Sequence, residues 1–135
     1  MKERFNTIIV EETKFLEKLL VALEKQHEYI TKNEVFKMEA VVEEIQNLNI
    51  EIAKWEMERR NLTKGRGMLE IVEELGDSEI ENNYRKIRAL VEELKTQKEL
   101  NEALIRQGLG YTTKMLQILN PDRSPKTYGA YGKMK

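Results

Sequence analysis

The chain has 135 residues, of which 35% are charged and 40% hydrophobic, with 7 glycines, 2 prolines and no cysteine. This composition is typical of one domain built from long solvated helices, and it excludes disulfides and cysteine-based zinc sites. The 23 basic and 24 acidic residues nearly cancel, so no whole-chain field favours nucleic acid.

The first predicted element is a long helix over 2–31. Its apolar residues recur at helical spacing from Phe5 to Ile30, and charged residues fill the other faces. Thr31 and Glu34 then have the spacing of a capping box, in which a hydroxyl and a carboxylate satisfy free backbone donors at a helix start. We therefore expect the chain to reverse direction here.

The second predicted element is a helix over 33–63. Its apolar residues lie three or four apart from Met38 to Leu62, and Arg59 takes one position in this stripe. Glycines at both ends of 65–67 should end the helix, because glycine breaks a helical pattern.

The pattern then allows a short helix over 68–75, which Gly76 ends. Ser78 and Glu81 have the spacing of a second capping box and predict the start of a third long helix over 79–119. Heptad spacing persists along this helix, but the residues at the heptad positions are more polar and smaller in its second half.

The third helix should end at Pro121, because proline cannot continue a helix. We therefore divide the chain into a helical part over 1–119 and a tail over 120–135. The tail has four basic residues against Asp122 alone and little aliphatic content, so we expect it to be disordered.

Three long helices with short connections predict an all-α fold. The expected architecture is an elongated antiparallel three-helix bundle, or a coiled-coil hairpin, with the disordered C-terminal tail. Gly108 and Gly110 interrupt the third helical pattern, where each costs about 1 kcal/mol relative to alanine. They indicate either a hinge or close helix approach, or a weak spot that packing tolerates.

The sequence offers few groups for catalysis. His27 is the only histidine and has no second zinc ligand four residues on, so we interpret it as a surface residue. Ser78 and Ser124 suit a helix cap and a tail rather than a catalytic triad. Glutamate pairs among polar neighbours indicate solvated helix faces. We therefore predict no catalytic, cofactor-binding or metal-binding residue, and a protein that is not an enzyme.

The third helix carries more apolar side chains over 100–119 than one narrow seam needs. This surplus predicts an exposed groove that accepts an amphipathic helix from a partner. Pairing of two copies through the same face, as in a self-associating coiled-coil scaffold or adaptor, is the alternative. No apolar run approaches the roughly 20 residues of a membrane span, and no signal-peptide core is present. We expect a cytoplasmic protein without stable membrane insertion.

Several segments, taken in order, resemble the FlgN family of flagellar export chaperones. They are Ile45-x-x-Leu48-x-x-x-Ile52-x-x-Trp55-x-x-x-Arg59, then Leu100-Asn-Glu-Ala-Leu-Ile105 with Met115-Leu-Gln-Ile-Leu119, and finally Thr127-Tyr-Gly-Ala-Tyr-Gly132. The resemblance implies a helical chaperone that binds the C-terminal helices of hook-associated flagellar proteins. It would keep them monomeric and export-competent and deliver them to the flagellar export gate.

The same resemblance implies where the partners bind. The cargo site would comprise Asn101, Leu104, Ile105, Leu109, Met115, Leu116 and Leu119. Tyr128 would contact the export gate, since an aromatic side chain on a flexible tail buries much area at low rotamer cost. No cofactor is implied, because binding alone is the activity, and a homodimer is compatible with the same helices.

Overall fold

The computed structural model describes residues 1–107, and within that range the chain forms four helices and no strand. The helices are α1 (Lys2–Thr31), α2 (Val35–Thr63), α3 (Met68–Leu75) and α4 (Ser78–Arg106). The predicted all-helical class is confirmed. None of these four helices is long and apolar enough to cross a membrane. The predicted extension of the third helix to 119 and the tail over 120–135 lie outside the described residues and stay predictions.

The turn between α1 and α2 corrects the capping box predicted at Thr31. Thr31 is the last residue of α1, and its Oγ1 donates to the backbone oxygen of Glu28 at 2.9 Å. Glu34 directly precedes α2 and makes no side-chain capping bond. The chain reverses through Asn33, whose φ of 56° lies in the left-handed region that asparagine tolerates better than most residues. A backbone turn therefore replaces the predicted cap.

The start of α4 corrects the second predicted capping box. Asp77, and not Ser78, caps the helix: its carboxylate accepts from the backbone N–H of Glu79 at 2.9 Å and of Ile80 at 3.1 Å. These hydrogen bonds, that from Ile80 foremost, hold the pKa of Asp77 below its usual value. Ser78 is the first residue inside the helix. The helix thus begins one residue before its predicted start.

Residues with a left-handed backbone conformation end α2 and α3. Lys64 follows α2 with a φ of 56°, and Gly65 continues the turn at 80°. Gly76 follows α3 with a φ of 59°, and its N–H donates to the oxygen of Val72 at 3.2 Å. Glycine carries no Cβ and adopts this conformation without strain, so Gly76 ends the short helix as predicted.

Helix α1 lies between α2 and α4 and packs along both. Ion pairs from Arg4–Glu58 at 3.1 Å to Lys25–Glu44 at 3.8 Å show that α1 and α2 are antiparallel. Contacts between α1 and α4 advance in the same direction along both helices, so this pair is parallel. Helices α2 and α4 barely touch each other, and a closed three-helix bundle is therefore not confirmed.

The apolar core falls into two clusters. The larger joins α1, α3 and α4, and its buried members are Phe5, Ile9, Leu16, Leu23, Ile71, Val72, Ile80, Ile87, Leu90 and Leu94. The smaller joins the end of α1 to α2 and α4, and consists of Ile30, Met38 and Ile105, with Tyr29 and Leu104 packed against it. Helix α2 adds no buried side chain to the larger cluster, only half-buried ones. It is consequently the least buried of the three long helices.

An ion pair between the buried Glu12 and the half-buried Arg59 joins α1 to α2. Arg59 Nε lies 3.4 Å from Glu12 Oε1, and the two side chains are 15% and 6% exposed. Burial raises the pKa of Glu12, and the charge of Arg59 opposes that rise. Because desolvation of such a pair offsets much of its attraction, its net contribution to stability is smaller than the attraction alone. This contact places Arg59 at the α1–α2 interface, as the stripe predicted.

Candidate functional site

An open groove runs between α2 and α4, with α1 as its floor. The groove encloses about 500 Å³. It stays open because α2 and α4 each pack on α1 and barely touch each other. Its apolar lining comprises Leu19 and Leu23 from α1, Val42, Ile45 and Ile50 from α2, and Leu94 from α4. We call this feature the α2–α4 groove.

The wall formed by α2 is one face of an uninterrupted helix. Val42, Ile45, Gln46, Asn49 and Ile50 lie three or four residues apart, so their side chains share one side of α2. The two amides are exposed beside the apolar residues. This wall therefore offers apolar area and hydrogen-bonding groups, but no charge.

The wall formed by α4 carries charge. Lys95 and Lys98 lie one turn apart beside Leu94, and Glu102 lies one turn further along the same helix. Both lysines are exposed. Within residues 1–107 no group of three acidic or histidine side chains could hold a metal ion. The arrangement suits the binding of a polypeptide rather than chemistry on a substrate.

A polar cluster next to the groove ties α4 to α1. Asn101 is only 1% exposed, and its Nδ2 donates to the backbone oxygen of Leu23 and to Gln26 Oε1, both at 2.9 Å. Its Oδ1 accepts from Gln97 Nε2 at 2.9 Å and lies 3.3 Å from His27 Nδ1. Because the oxygen of Leu23 only accepts, the orientation of the Asn101 amide is fixed. His27 Nδ1 is then the donor to Asn101.

This cluster corrects the interpretation of His27 as a surface residue. His27 is half-buried and bonded across the α1–α4 interface. Gln26 is also buried, and its Nε2 has no hydrogen-bond acceptor within residues 1–107. The interface between the later half of α1 and α4 is therefore partly polar.

Three of the predicted cargo residues lie in the described part of the chain. Asn101 and Ile105 are buried, and Leu104 is half-buried against the smaller cluster. The structure thus brings these three together where the end of α4 meets α1, and Asn101 also lines the groove. The other predicted positions lie outside the described residues: Leu109, Met115, Leu116 and Leu119, the gate contact Tyr128, and the two glycines Gly108 and Gly110.

Sequence reasoning missed the contribution of α2 to the groove. The sequence predicted surplus apolar surface only on the third helix. A signal was nevertheless present, since Ile50 and Met57 lie off the stripe that faces α1, and they are 55% and 65% exposed. From 43 to 62, α2 contains no buried residue at all. Apolar residues on a helix with so little burial indicate a surface that is open to a partner.

Comparison with known proteins identifies the family. A family model described as FlgN protein matches residues 1–135, from the first residue of the sequence to the last. No curated protein and no solved structure matches the chain. The resemblance noted in the segments of α2, α4 and the C-terminal region is therefore confirmed over their full extent. The chain belongs to the FlgN family, and with it to the flagellar export chaperones.

Proposed function

We propose that this chaperone acts in the cytoplasm on hook-associated flagellar proteins. It binds their C-terminal helices, keeps these proteins monomeric and export-competent, and delivers them to the flagellar export gate. Family membership supports the general role of an export chaperone. The finer proposal depends on one observation, the open apolar α2–α4 groove.

The shape of the groove suits one helix laid along it. Apolar side chains from three helices line its floor and walls, so a guest helix would be contacted on three sides. An amphipathic C-terminal helix exposes its apolar face when its own assembly partners are absent. Covering that face prevents premature association, and the ordering entropy of the segment keeps the affinity moderate and reversible.

The positions predicted from the resemblance extend this site. Leu104 lies near the end of α4, two residues after Glu102 of the groove lining, and the predicted positions from Leu109 to Leu119 follow it in the chain. We propose that they continue the cargo-binding surface beyond the groove. Tyr128 is proposed as the contact to the export gate, separate from cargo binding.

A pair of variants on α2 tests the groove. Ile50→Asp places a carboxylate on the groove wall, whereas Met57→Asp places one on the same helix outside the groove. Both residues are exposed, so neither change should unfold the protein. We expect Ile50→Asp to weaken binding of the C-terminal segment of a hook-associated protein by about 2 kcal/mol, or roughly thirtyfold. Met57→Asp should bind like the unaltered protein, measured by fluorescence anisotropy and co-elution.

Equal binding by both variants would remove the groove from the proposal. A protein that forms only homodimers, and no mixed complex with any hook-associated segment, would favour the self-associating scaffold. Tyr128→Ala should leave the affinity for cargo unchanged and reduce secretion of hook-associated proteins in cells. A loss of cargo affinity in that variant would contradict the separate role proposed for Tyr128.

A further inference from the structure

The charges around the α2–α4 groove are distributed unevenly. On the α2 wall the polar residues are the neutral amides Gln46 and Asn49. On the α4 wall, Lys95 and Lys98 stand one turn apart at the level of the apolar lining. Glu102 lies further along that wall and already has an interaction of its own. The groove is therefore neutral on one side and positive on the other.

The two lysines differ from other lysines at helix interfaces of this protein. Lys25 pairs with Glu44 at 3.8 Å across the α1–α2 interface, and Lys86 pairs with Glu17 across the α1–α4 interface. Lys95 and Lys98 have no ion pair within residues 1–107. Two exposed ammonium groups beside an apolar groove are thus available to carboxylates of a bound molecule.

From this charge pattern we propose that the α2–α4 groove selects an amphipathic helix that carries carboxylates along the flank facing α4. The inference rests on the proposed function and names the kind of segment that the groove prefers. Lys95 and Lys98 are three residues apart, so their side chains lie about 5–6 Å from each other at Cβ. The preferred guest has two acidic residues one turn apart, next to its apolar stripe.

The length of the groove limits how many residues of the guest helix it contacts. Its lining runs from Leu94 to Glu102 on α4 and from Val42 to Ile50 on α2, which is about 12 Å of each helix. A guest helix of two to three turns covers that distance. The acidic pair and two or three apolar residues therefore suffice to define the recognised segment.

Charge disfavours the two occupants that the protein itself could supply. Residues 108–135 contain five basic residues and one acidic residue, Asp122, so they match a positive wall poorly. A second copy related by two-fold symmetry would present the same patch, with Lys95 and Lys98 on its α4 wall and neutral amides on its α2 wall, rather than an acidic flank. A client helix with an acidic flank avoids both conflicts.

The test uses the full-length chain and two synthetic peptides of about 18 residues, long enough for five helical turns. Both carry the same leucine stripe; one has glutamates along a single flank, and the other has glutamines at those positions. Exposed ion pairs contribute little individually, so we expect the glutamate peptide to bind roughly fivefold more tightly at low salt. The difference should shrink as ionic strength rises.

Matched double variants assign the effect to the groove. Lys95→Gln with Lys98→Gln should abolish the preference between the peptides. Arg85→Gln with Arg88→Gln removes the same charge at the same spacing on α4 outside the groove lining, and should retain the preference. Lys95→Glu with Lys98→Glu should instead bind the glutamine peptide more tightly than the glutamate peptide.

Each other outcome overturns the inference in a distinguishable way. Equal binding of both peptides to the unaltered chain refutes the acidic flank and leaves the proposed chaperone function standing. Failure of both peptides to bind, while a hook-associated segment binds, places the cargo site elsewhere. A homodimer that the peptides dissociate would assign the groove to a second copy. Much tighter peptide binding in a Met115→Asp variant would assign it to the chain's own C-terminal segment.

Discussion

Replacement of Asn101 by alanine separates a structural role from a role in cargo binding. The resemblance places Asn101 in the cargo site, whereas the structure buries it at the α1–α4 interface with bonds to Leu23 and Gln26. If the structural role dominates, the free energy of unfolding must fall when the amide is removed. If Asn101 mainly contacts cargo, stability should change little and affinity should fall.

The expected size follows from the contacts. The hydrogen bond to the backbone oxygen of Leu23 contributes about 1 kcal/mol, and loss of the other bond leaves the buried Oε1 of Gln26 without its donor, which costs about 1–3 kcal/mol. Gln97 and His27 are half-buried and can turn towards water. Alanine is the better helix former by about 0.6 kcal/mol, which offsets part of the loss. We expect Asn101→Ala to destabilise the protein by roughly 2–3 kcal/mol.

Urea unfolding followed by circular dichroism at 222 nm measures this difference, and the slope of the transition should stay unchanged. Asn49→Ala is the control, because Asn49 lies exposed on the groove wall of α2 and should shift stability by less than about 0.5 kcal/mol. A stability of Asn101→Ala within that same margin would refute the structural reasoning. Cargo affinity lost at unchanged stability would return Asn101 to the binding surface.

Two further predictions concern charged groups. Arg59→Met leaves the buried Glu12 carboxylate without its cation, so the free energy of unfolding should fall by about 3 kcal/mol near pH 8. Burial already raises the pKa of Glu12, so its protonation stabilises the fold as pH falls. The loss of stability in the variant should therefore narrow towards pH 5. A loss of stability that is constant with pH would contradict this reasoning. Asp77→Ala should destabilise α4 more than Ser78→Ala, because Asp77 makes both capping bonds. The pKa of Asp77 is lowered on folding, so the difference between these variants should be present above about pH 4 and disappear as pH falls through the folded-state pKa, as thermal unfolding would measure.

Much of the fold follows from hydrophobic periodicity. The long stripes predict helices, and the observed α1 and α2 begin and end within two residues of the predicted bounds. Helix starts were less predictable, since Asp77 and Ser78 are both good capping residues at adjacent positions. Only the backbone conformation of Asp77, extended with a φ of −104°, decides between them. A capping pattern therefore indicates a helix start without fixing its residue.

The placement of Asn101 was accessible from the sequence. Ile80, Ile87, Leu94 and Asn101 are seven residues apart, and all four are buried against α1. A polar residue in such a row is expected to have its hydrogen bonds satisfied inside the fold. The groove was harder to predict, because it depends on the distance between α2 and α4. Periodicity defines the faces of each helix, but it does not define how far apart two helices lie on a third.

The polar residues that line the groove would oppose its closure by α2. If α2 moved onto α4, the side chains of Gln46 and Asn49 would meet those of Lys95 and Lys98. Burial of two ammonium groups opposite neutral amides would be unfavourable, because no carboxylate on α2's groove wall would compensate the lost hydration. When a guest brings carboxylates, ion pairs with Lys95 and Lys98 compensate the hydration that these lysines lose. The residues that oppose closure of the groove by α2 are thus the residues that favour an acidic guest.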